Sequence, residues 1–579
     1  MKTIGDIFIS SDRKPSSILG RMRKSPNAQI LGNDQMHLGE SDETWKGFPF
    51  QARTIRHAQV FVLGEFAGFN DADSLDDFEK NMPSQTGSFL VFAWDETEHQ
   101  WHVWTDRFGT LHAYHAWDGH RGALGTFAPA VAEAASQKKL DWEALTAWFS
   151  FGFFPADRTH FTDMRILRPA SHYVFDQHGR LLTQARYWNW QYCPDDKRSY
   201  ADTVEELGRV FHEVMQDALR DGRVAVPISG GLDSRSTLTA ISSDVTRSGR
   251  VWSYSYGYAK NSVETKIARQ VSRARNLPFT AYTIEPYLLD EMDRLLAYTE
   301  GYQDVTQARQ MFVRDDIADH SDVLIAALWG DVWFSDMGLT PAPNISDNAL
   351  LQYAIKKVRK KDGWLLDHVV PPNPGDDVES LLNGFVQNEL QALQNIADPD
   401  FRIKAFKTEQ WSFRWSIPPT RVFQSAAWPR KIFYDTRLTD FFLTVPSSFL
   451  VGRKLQIDFL KRFAPDLARI TWQVYDANLF HYQYFNTLLL PKRAIKKVWR
   501  MLSREKVFER NWETQFLNPQ GRAGLEHWLT RTGLRLHEFV APPPLQNLLD
   551  EFYTSPTAAR GYTISMLLTF SAWLEKWDN

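Results

Sequence analysis

A single cysteine, Cys193, stands among 579 residues. One thiol excludes an internal disulfide and any metal site built on several cysteines, and it fits a reducing cytoplasm. Long apolar runs are missing too. The best candidate, 564–573, is well short of the roughly 20 residues that a spanning helix needs and contains Thr and Ser. The start, Met1-Lys2-Thr3-Ile4-Gly5-Asp6, carries charge but no apolar h-region, so no secretory signal is expected. Neither charge sign dominates. The 66 Lys and Arg against 70 Asp and Glu leave a net −4, which argues against nucleic acid or an anionic membrane as main partner. Disorder needs low hydrophobicity with high net charge, and neither is present. Aromatic residues are plentiful: 22 Trp and 39 Phe require large aromatic cores or aromatic-lined clefts.

The length predicts two domains. The first third reads as β-rich. Strand signals at 59–63, 87–95 and 102–105 lead through the turn Asp106-Arg107-Phe108-Gly109 into 111–117. That spacing predicts an antiparallel sheet or sandwich. Residues 140–149 read as a helix, and 172–176 with 179–182 as a hairpin. The polar, proline-containing stretch 193–199 marks a boundary, giving domains over 1–190 and 200–579. The second opens with a helix at 201–219, whose Val204, Leu207, Val210, Phe211 and Val214 recur at helical spacing. Strands at 224–228, 251–255, 279–284 and 322–326 alternate with helices at 236–241 and 264–275, which implies a parallel α/β sheet. Beyond 345 the pattern is mostly helical.

The strand at 224–228 runs into Ser229-Gly230-Gly231-Leu232-Asp233-Ser234, and a helix follows. Two glycines let the backbone approach an anion closely. A helix start offers free N–H groups and the positive end of a dipole. Ser229 and Ser234 add hydroxyl donors. Asp233 repels phosphate, so its fitting role is to hold Mg²⁺ that bridges it to pyrophosphate. The Gly-Lys-Ser/Thr ending of a Walker loop is absent, which disfavours γ-phosphate transfer. Gly-x-Ser-x-Gly is absent as well, so neither serine reads as a hydrolase nucleophile. The bland alternative is a Gly-Gly turn in an unrelated α/β protein.

This loop after a strand resembles the pyrophosphate loop of the asparagine synthetase family. The resemblance extends further. Residues 87–95 followed by Thr105-Asp106-Arg107-Phe108-Gly109, and 161–170, resemble its N-terminal glutaminase-like domain. Glu264-Thr265-Lys266-Ile267-Ala268 with Val271 resembles the helix after the loop, with Glu264 where the family usually has Asp. Ile432-Phe433-Tyr434-Asp435 and Val445-Pro446 resemble its C-terminal helical stretch. The resemblance implies an α/β protein: an α+β N-terminal sandwich of the Ntn-hydrolase type, then a doubly wound parallel sheet of the PP-loop (HUP) type with a helical extension. It implies ATP and Mg²⁺, with nucleotide contacts at Ser229, Gly230, Gly231, Asp233, Ser234, Ser255, Gly257 and Gly330. Asp233 and Asp331 are the implied catalytic and metal-holding residues.

Three departures stand out. The family's glutaminase nucleophile is a cysteine exposed after Met removal; here the second residue is Lys2, and no feature promises Cys193 a lowered pKa. No glutamine hydrolysis is expected. The N-terminal domain then reads as a scaffold, and the attacking amine as ammonia or the substrate's own. The family's Gly-Glu-Gly-x-Asp-Glu-like segment reads Ala327-Leu328-Trp329-Gly330-Asp331-Val332-Trp333-Phe334-Ser335-Asp336. Asp331 persists, Leu328 and Val332 replace carboxylates, and Asp336 is a candidate substitute. Near 470–476 no Lys stands in register to stabilise departing pyrophosphate, a step that needs charge neutralised; Lys454 and Lys461 read as solvated helix charges. The amine's base has no assigned residue. Glu300 reads equally as an acid in a loop after a helix or as a surface cap.

Two functions stay open. The first is an ATP-dependent amide-forming ligase that turns a small-molecule or peptide carboxylate into an acyl-adenylate and pyrophosphate. Its substrate is aspartate with ammonia, or a tailoring substrate as in the lasso-peptide cyclases and β-lactam synthetases, which this chain resembles in lacking the N-terminal cysteine. The second is a catalytically impaired nucleotide-binding regulator or scaffold. The carboxylate, the amine and the oligomeric state stay open here. The basic stretch 491–500, continuing through Arg504, Lys506 and Arg510, either docks an acidic carrier, a precursor peptide or a membrane surface, or is a solvated helix face. His99, His102, His112 and His115 lack converging partners and read as ordinary sheet positions.

Overall fold

The computed structural model describes residues 3–10, 28–31, 34–38, 45–67, 73–260, 262–340, 344–360, 363–369, 377–485, 487 and 509–577. The basic stretch 491–500, with Arg504 and Lys506, lies outside them, as does Lys2. Among the described residues the N-terminal part forms two antiparallel sheets. One has seven strands in the order Thr3–Ile4, Phe48–Ile55, Ala58–Gly64, Phe89–Asp95, Gln100–Thr105, Ser171–Asp176, Leu181–Arg186. The other has six, in the order Met164–Ile166, Tyr114–Trp117, Gly122–Gly125, Ile7–Ser10, Asp34–Leu38, Ala28–Leu31. The strands before residue 58 are an addition to the sequence reading.

Alternation explains why Phe89–Asp95 is apolar along its whole length. Leu90, Phe92 and Trp94 enter a core shared with Ile7, Tyr114 and Leu124 of the second sheet. Phe89, Val91 and Ala93 point to the other face, under Phe66 and Phe78. Successive strand side chains take opposite faces, so a strand covered on both reads as one continuous run.

The C-terminal part holds a parallel sheet in the order Phe279–Thr283, Val251–Gly257, Val224–Pro227, Val323–Ile325, Trp428–Arg430. Val224 and Val226 pack to one side and Ala225 to the other, as expected for a sheet sandwiched by helices. The helix Tyr200–Ala218 covers one face with Val204, Leu207, Val210, Phe211 and Val214, and the Ser199 side chain caps it by accepting from Asp202 N. Trp428–Arg430 is unexpected from sequence, because a Trp-Pro-Arg triplet carries little strand signal. Pro429 lacks an N–H, and the edge position tolerates that. Arg430 then reaches Glu65 at 2.8 Å and ties the two parts together.

The last helix, Ala558–Trp577, packs back on the N-terminal part. Trp573 stacks on His160 at 4.0 Å, and Tyr562 donates to Phe149 O at 2.9 Å. Residues 564–573 are buried there, inside the protein. Among the described residues no helix is long and apolar enough to cross a membrane.

Candidate functional site

The parallel sheet reverses strand order between Val224–Pro227 and Val323–Ile325. At such a point an open α/β sheet leaves a crevice beyond the carboxyl ends of its strands. Residues 229–234 leave the first strand and 326–331 leave the second, so topology brings Asp233 and Asp331 to one crevice. Ile228 N donates to Tyr254 O at 2.8 Å and anchors the loop to the sheet. Within the loop, Ser229 N donates to Ser234 Oγ at 3.0 Å, the two hydroxyls lie 3.0 Å apart, and Gly231 N donates to Ser229 Oγ at 3.1 Å. A Cβ on Gly230 would stand 2.2 Å from Gln473 Oε1, so glycine lets Gln473 lie across the loop.

The expected helix at 236–241 is corrected. It runs over Asp233–Thr237, three residues earlier, and tightens into a 3-10 turn, Leu238–Ala240. Thr237 and Thr239 hydroxyls donate back to Ser234 O and Ser236 O at 2.7 and 2.8 Å, which shortens the helix. So short a helix adds little dipole, and the loop's own amides and hydroxyls carry the anion-binding capacity.

Asp233 accepts from the Arg453 guanidinium and from Gln456 Nε2 at 3.1 Å. Burial raises its carboxyl above the usual range, Arg453 opposes the shift, and Asp331 adds to it. A Cβ on Gly330 would come within 3.0 Å of the Asp233 carboxyl carbon and 2.7 Å of the Phe433 ring, so glycine permits the approach. Asp331 itself is exposed, and among the described residues no hydrogen bond or ion pair holds its carboxylate. Trp329, just before, has φ 75°, a left-handed conformation that a bulky side chain rarely adopts. Its Nε1 donates to Thr408 Oγ1 at 3.1 Å, which helps hold that turn.

Two carboxylates, one of them free, suit Mg²⁺, which is commonly held by one or two carboxylates together with waters and phosphate oxygens. Among the described residues no group of three or more His, Cys, Asp or Glu converges as an all-protein cage would need.

Several neighbours were invisible in the sequence. Gly452 and Arg453 both have φ 63°, and this double left-handed turn aims Arg453 at Asp233. Arg235 is fully buried and donates to Leu467 O, Ile470 O and Thr471 O at 2.9–3.2 Å. It thereby pins the segment that carries Gln473 over the loop. Burial brings its pKa down to about 10. Burial also raises the Glu264 carboxyl; the nearby Arg309 and the Gly230 amide pull it back. Lys407 is held below the usual lysine range by burial, with Asp331 opposing.

Other expected residues fall elsewhere. Ser255 and Gly257 lie on the neighbouring strand, with no hydrogen bond to the loop. Asp336 accepts from Gly452 N at 3.4 Å and braces the turn behind Arg453, so it does not replace the missing carboxylate beside Asp331. Glu300 is no surface cap. It is buried, left-handed at φ 56°, and paired with the equally buried Arg421 at 2.6 Å. Lys454 lies 3.4 Å from the Tyr200 ring centroid, and Lys461 pairs with Asp458 at 3.2 Å. His102 and His172 form a 3.0 Å hydrogen bond, while His112 and His115 lie 3.0 and 2.8 Å from the carbonyls of Phe413 and Gly179. Cys193 is exposed.

Beside Asp331 opens a cleft of about 340 Å³, walled by Trp329, Trp411, Trp415 and Phe423, with Lys407 and Arg309 in its lining. A second cleft, about 370 Å³ between Glu65 and Lys431, contains neither aspartate.

Residues 78–188 match a glutamine amidotransferase domain, and residues 207–414 match asparagine synthase. Over 166 residues the chain is 26% identical to a Methanocaldococcus jannaschii protein named "Putative asparagine synthetase 2, glutamine-hydrolyzing". The match covers 28% of this chain and 32% of that protein, so about a third of the relative's length is spanned. Among solved structures, the allosteric regulatory enzyme of purine biosynthesis aligns at TM-score 0.21 and 9% identity, over 49% of this chain and 76% of that one. Glutamine phosphoribosylpyrophosphate amidotransferase from B. subtilis aligns at TM-score 0.19 and 8% identity, over 62% and 74%.

Proposed function

Given that this chain belongs to the asparagine synthetase family, we propose that it is an ATP-dependent amide-forming ligase without a glutaminase of its own. The observation that carries the reading is Asp233 and Asp331 brought to one crevice beside a glycine loop closed by its own serines. In this reading a substrate carboxylate oxygen attacks the α-phosphorus of ATP and pyrophosphate leaves. The resulting acyl-adenylate is attacked by ammonia or a substrate amine, and AMP leaves.

Ser229, Gly230, Gly231 and Ser234 hold the phosphates, with the Ser229 and Gly231 amides exchanging their bonds to the Ser234 and Ser229 hydroxyls for phosphate oxygens. Asp233 and Asp331 would hold Mg²⁺, which when bound would supply positive charge against the phosphates. Arg453 supplies the cation that the sequence lacks at 470–476, where Gln473 stands instead. Arg453 donates to Asp233 here, and both face the loop.

The N-terminal part, over about 1–190, serves as a scaffold. Glu65, at its edge, is engaged by Arg430 and Arg220. Cys193 is exposed on the connecting segment, and its backbone N–H donates to Leu443 O at 3.0 Å.

The test is carboxylate-dependent release of pyrophosphate from ATP and Mg²⁺. Release that persists unchanged in Asp233→Ala sinks the mechanism. MgATP binding without release, over a broad panel of carboxylates, favours a nucleotide-binding regulator instead.

A further inference from the structure

The cleft beside Asp331 is built unlike a site for a small, doubly charged amino acid. Four large aromatic side chains wall it: Trp329, Trp411, Trp415 and Phe423. Lys407 precedes the π-helical stretch Thr408–Ser416, which carries Trp411 and Trp415. Such wide turns are concentrated at functional sites.

The buried polar atoms of this lining that lack partners are two acceptors, Gln303 Oε1 and Gln310 Oε1, and two donors, and the donors stand with the cations beside the aromatic wall. Among the described residues, the donors Trp411 Nε1 and Arg309 Nε are buried and unbonded, and no hydrogen bond or ion pair engages the Lys407 ammonium. Buried donors without acceptors are costly, so they fit an acceptor-rich ligand group. The indole faces are already occupied by cations. Lys407 stands 5.1 Å from the Trp411 centroid and 5.7 Å from that of Trp329. Lys360 stands 5.1 and 5.6 Å from Trp411 and Trp415. A ligand ammonium would meet Lys407 and Arg309. The carboxylate in the lining is Asp331, which the ligase reading assigns to Mg²⁺.

Resting on that reading, we infer that the activated substrate is a carboxylate attached to a bulky aromatic or apolar body, with no ammonium beside the carboxylate. Its carboxylate faces Lys407 and the Trp411 N–H, and its body lies along Trp415 and Phe423.

The test is calorimetry on the full chain, with Mg²⁺ and an ATP analogue whose α–β bridge cannot be cleaved. The probes are 3-phenylpropionate, indole-3-propionate and aspartate. We expect the aryl acids to bind at least ~10-fold tighter than aspartate, and Trp411→Ala to erase that margin. Trp411→Phe keeps most of it, which separates a lost wall from a lost fold. Lys407→Gln weakens the aryl acids but not their primary amides.

Aspartate binding as tightly as the aryl acids overturns the inference. So does an absence of aryl-acid binding at millimolar concentration, or a folded Trp411→Ala that binds like wild type. The two readings fail separately. Aryl acids that bind but never release pyrophosphate from MgATP sink the ligase reading alone. Preferred turnover of aspartate sinks the present inference alone.

Discussion

Asp106 and Asp331 both follow strands, one in each half of the molecule, Asp106 in a turn and Asp331 at the start of the short helix Gly330–Phe334. Asp106 is fully engaged. It accepts from Phe89 N at 3.2 Å, Phe108 N at 3.0 Å, Thr110 N at 3.1 Å and Thr110 Oγ1 at 2.7 Å. Asp331 stands exposed at the crevice with none of these. His112, His115 and Glu300 in and against the N-terminal half are buried or half-buried and bonded, whereas Lys407 and Trp411 line a cleft and, among the described residues, the Lys407 ammonium and Trp411 Nε1 have no hydrogen bond. Saturated polar groups hold a fold; unsaturated ones kept beside a crevice need a ligand.

The largest expected effect is at the crevice. Asp233→Ala or Asp331→Ala should cut pyrophosphate release ~10²–10³-fold, as loss of charge stabilisation on a leaving group does, with the unfolding midpoint little changed. An equal loss of stability instead would erase the contrast with Asp106. Asp106→Ala should do the opposite. It strands several buried donors and should cost about 3 kcal/mol in urea unfolding, while protein that remains folded keeps its turnover rate.

Third is a pH effect confined to the scaffold. Burial holds His115 down at about 4, against the opposing Gly179 carbonyl, and His172 at about 3, where His102 adds to the effect. Both take up protons near the ordinary histidine value of about 6.5 once unfolded. Between those values the unfolded chain binds more protons. Stability is therefore fully present above about pH 6.5 and is lost as pH falls toward 4, by on the order of 1 kcal/mol per unit for each histidine. Urea midpoints at pH 7 and pH 5 should show the drop, and His115→Gln should flatten it. A slope unchanged by that substitution would take His115 out of the account.

A smaller effect sharpens the crevice. Gln473→Lys places a cation across the loop and should tighten MgATP about 3-fold in a binding titration; weaker binding would mean that Gln473 is not beside the phosphates. The smallest is Cys193→Ser, expected to shift stability by less than about 0.5 kcal/mol and turnover not at all. Any loss of turnover would return the thiol to the chemistry.

Much of this was legible in the sequence because it rests on short-range pattern. Short continuous apolar runs marked the strands Ala58–Gly64 and Phe89–Asp95, and the 3.6-residue spacing of Val204 to Val214 marked a helix. The loop was legible because glycine, serine and aspartate act there through local backbone geometry. The edge strand Trp428–Arg430 was not, since its pairing is set by the neighbour Val323–Ile325 and not by its own residues. Glu300 misled because a left-handed residue after a helix reads the same in water or in a core.

The sequence by itself determined the loop 229–234, the parallel α/β arrangement around it and the departures at Leu328, Val332 and 470–476, because each is written in neighbouring residues. Only the tertiary structure decided what surrounds the loop. Arg453 arrives from a segment 220 residues away, Gln473 is laid across Gly230 by Arg235, and the aromatic walls come from segments around 329 and 407–423. Such contacts depend on how distant elements pack, and hydrophobic packing constrains the apolar pattern of a segment far more than which polar side chain meets which across the fold.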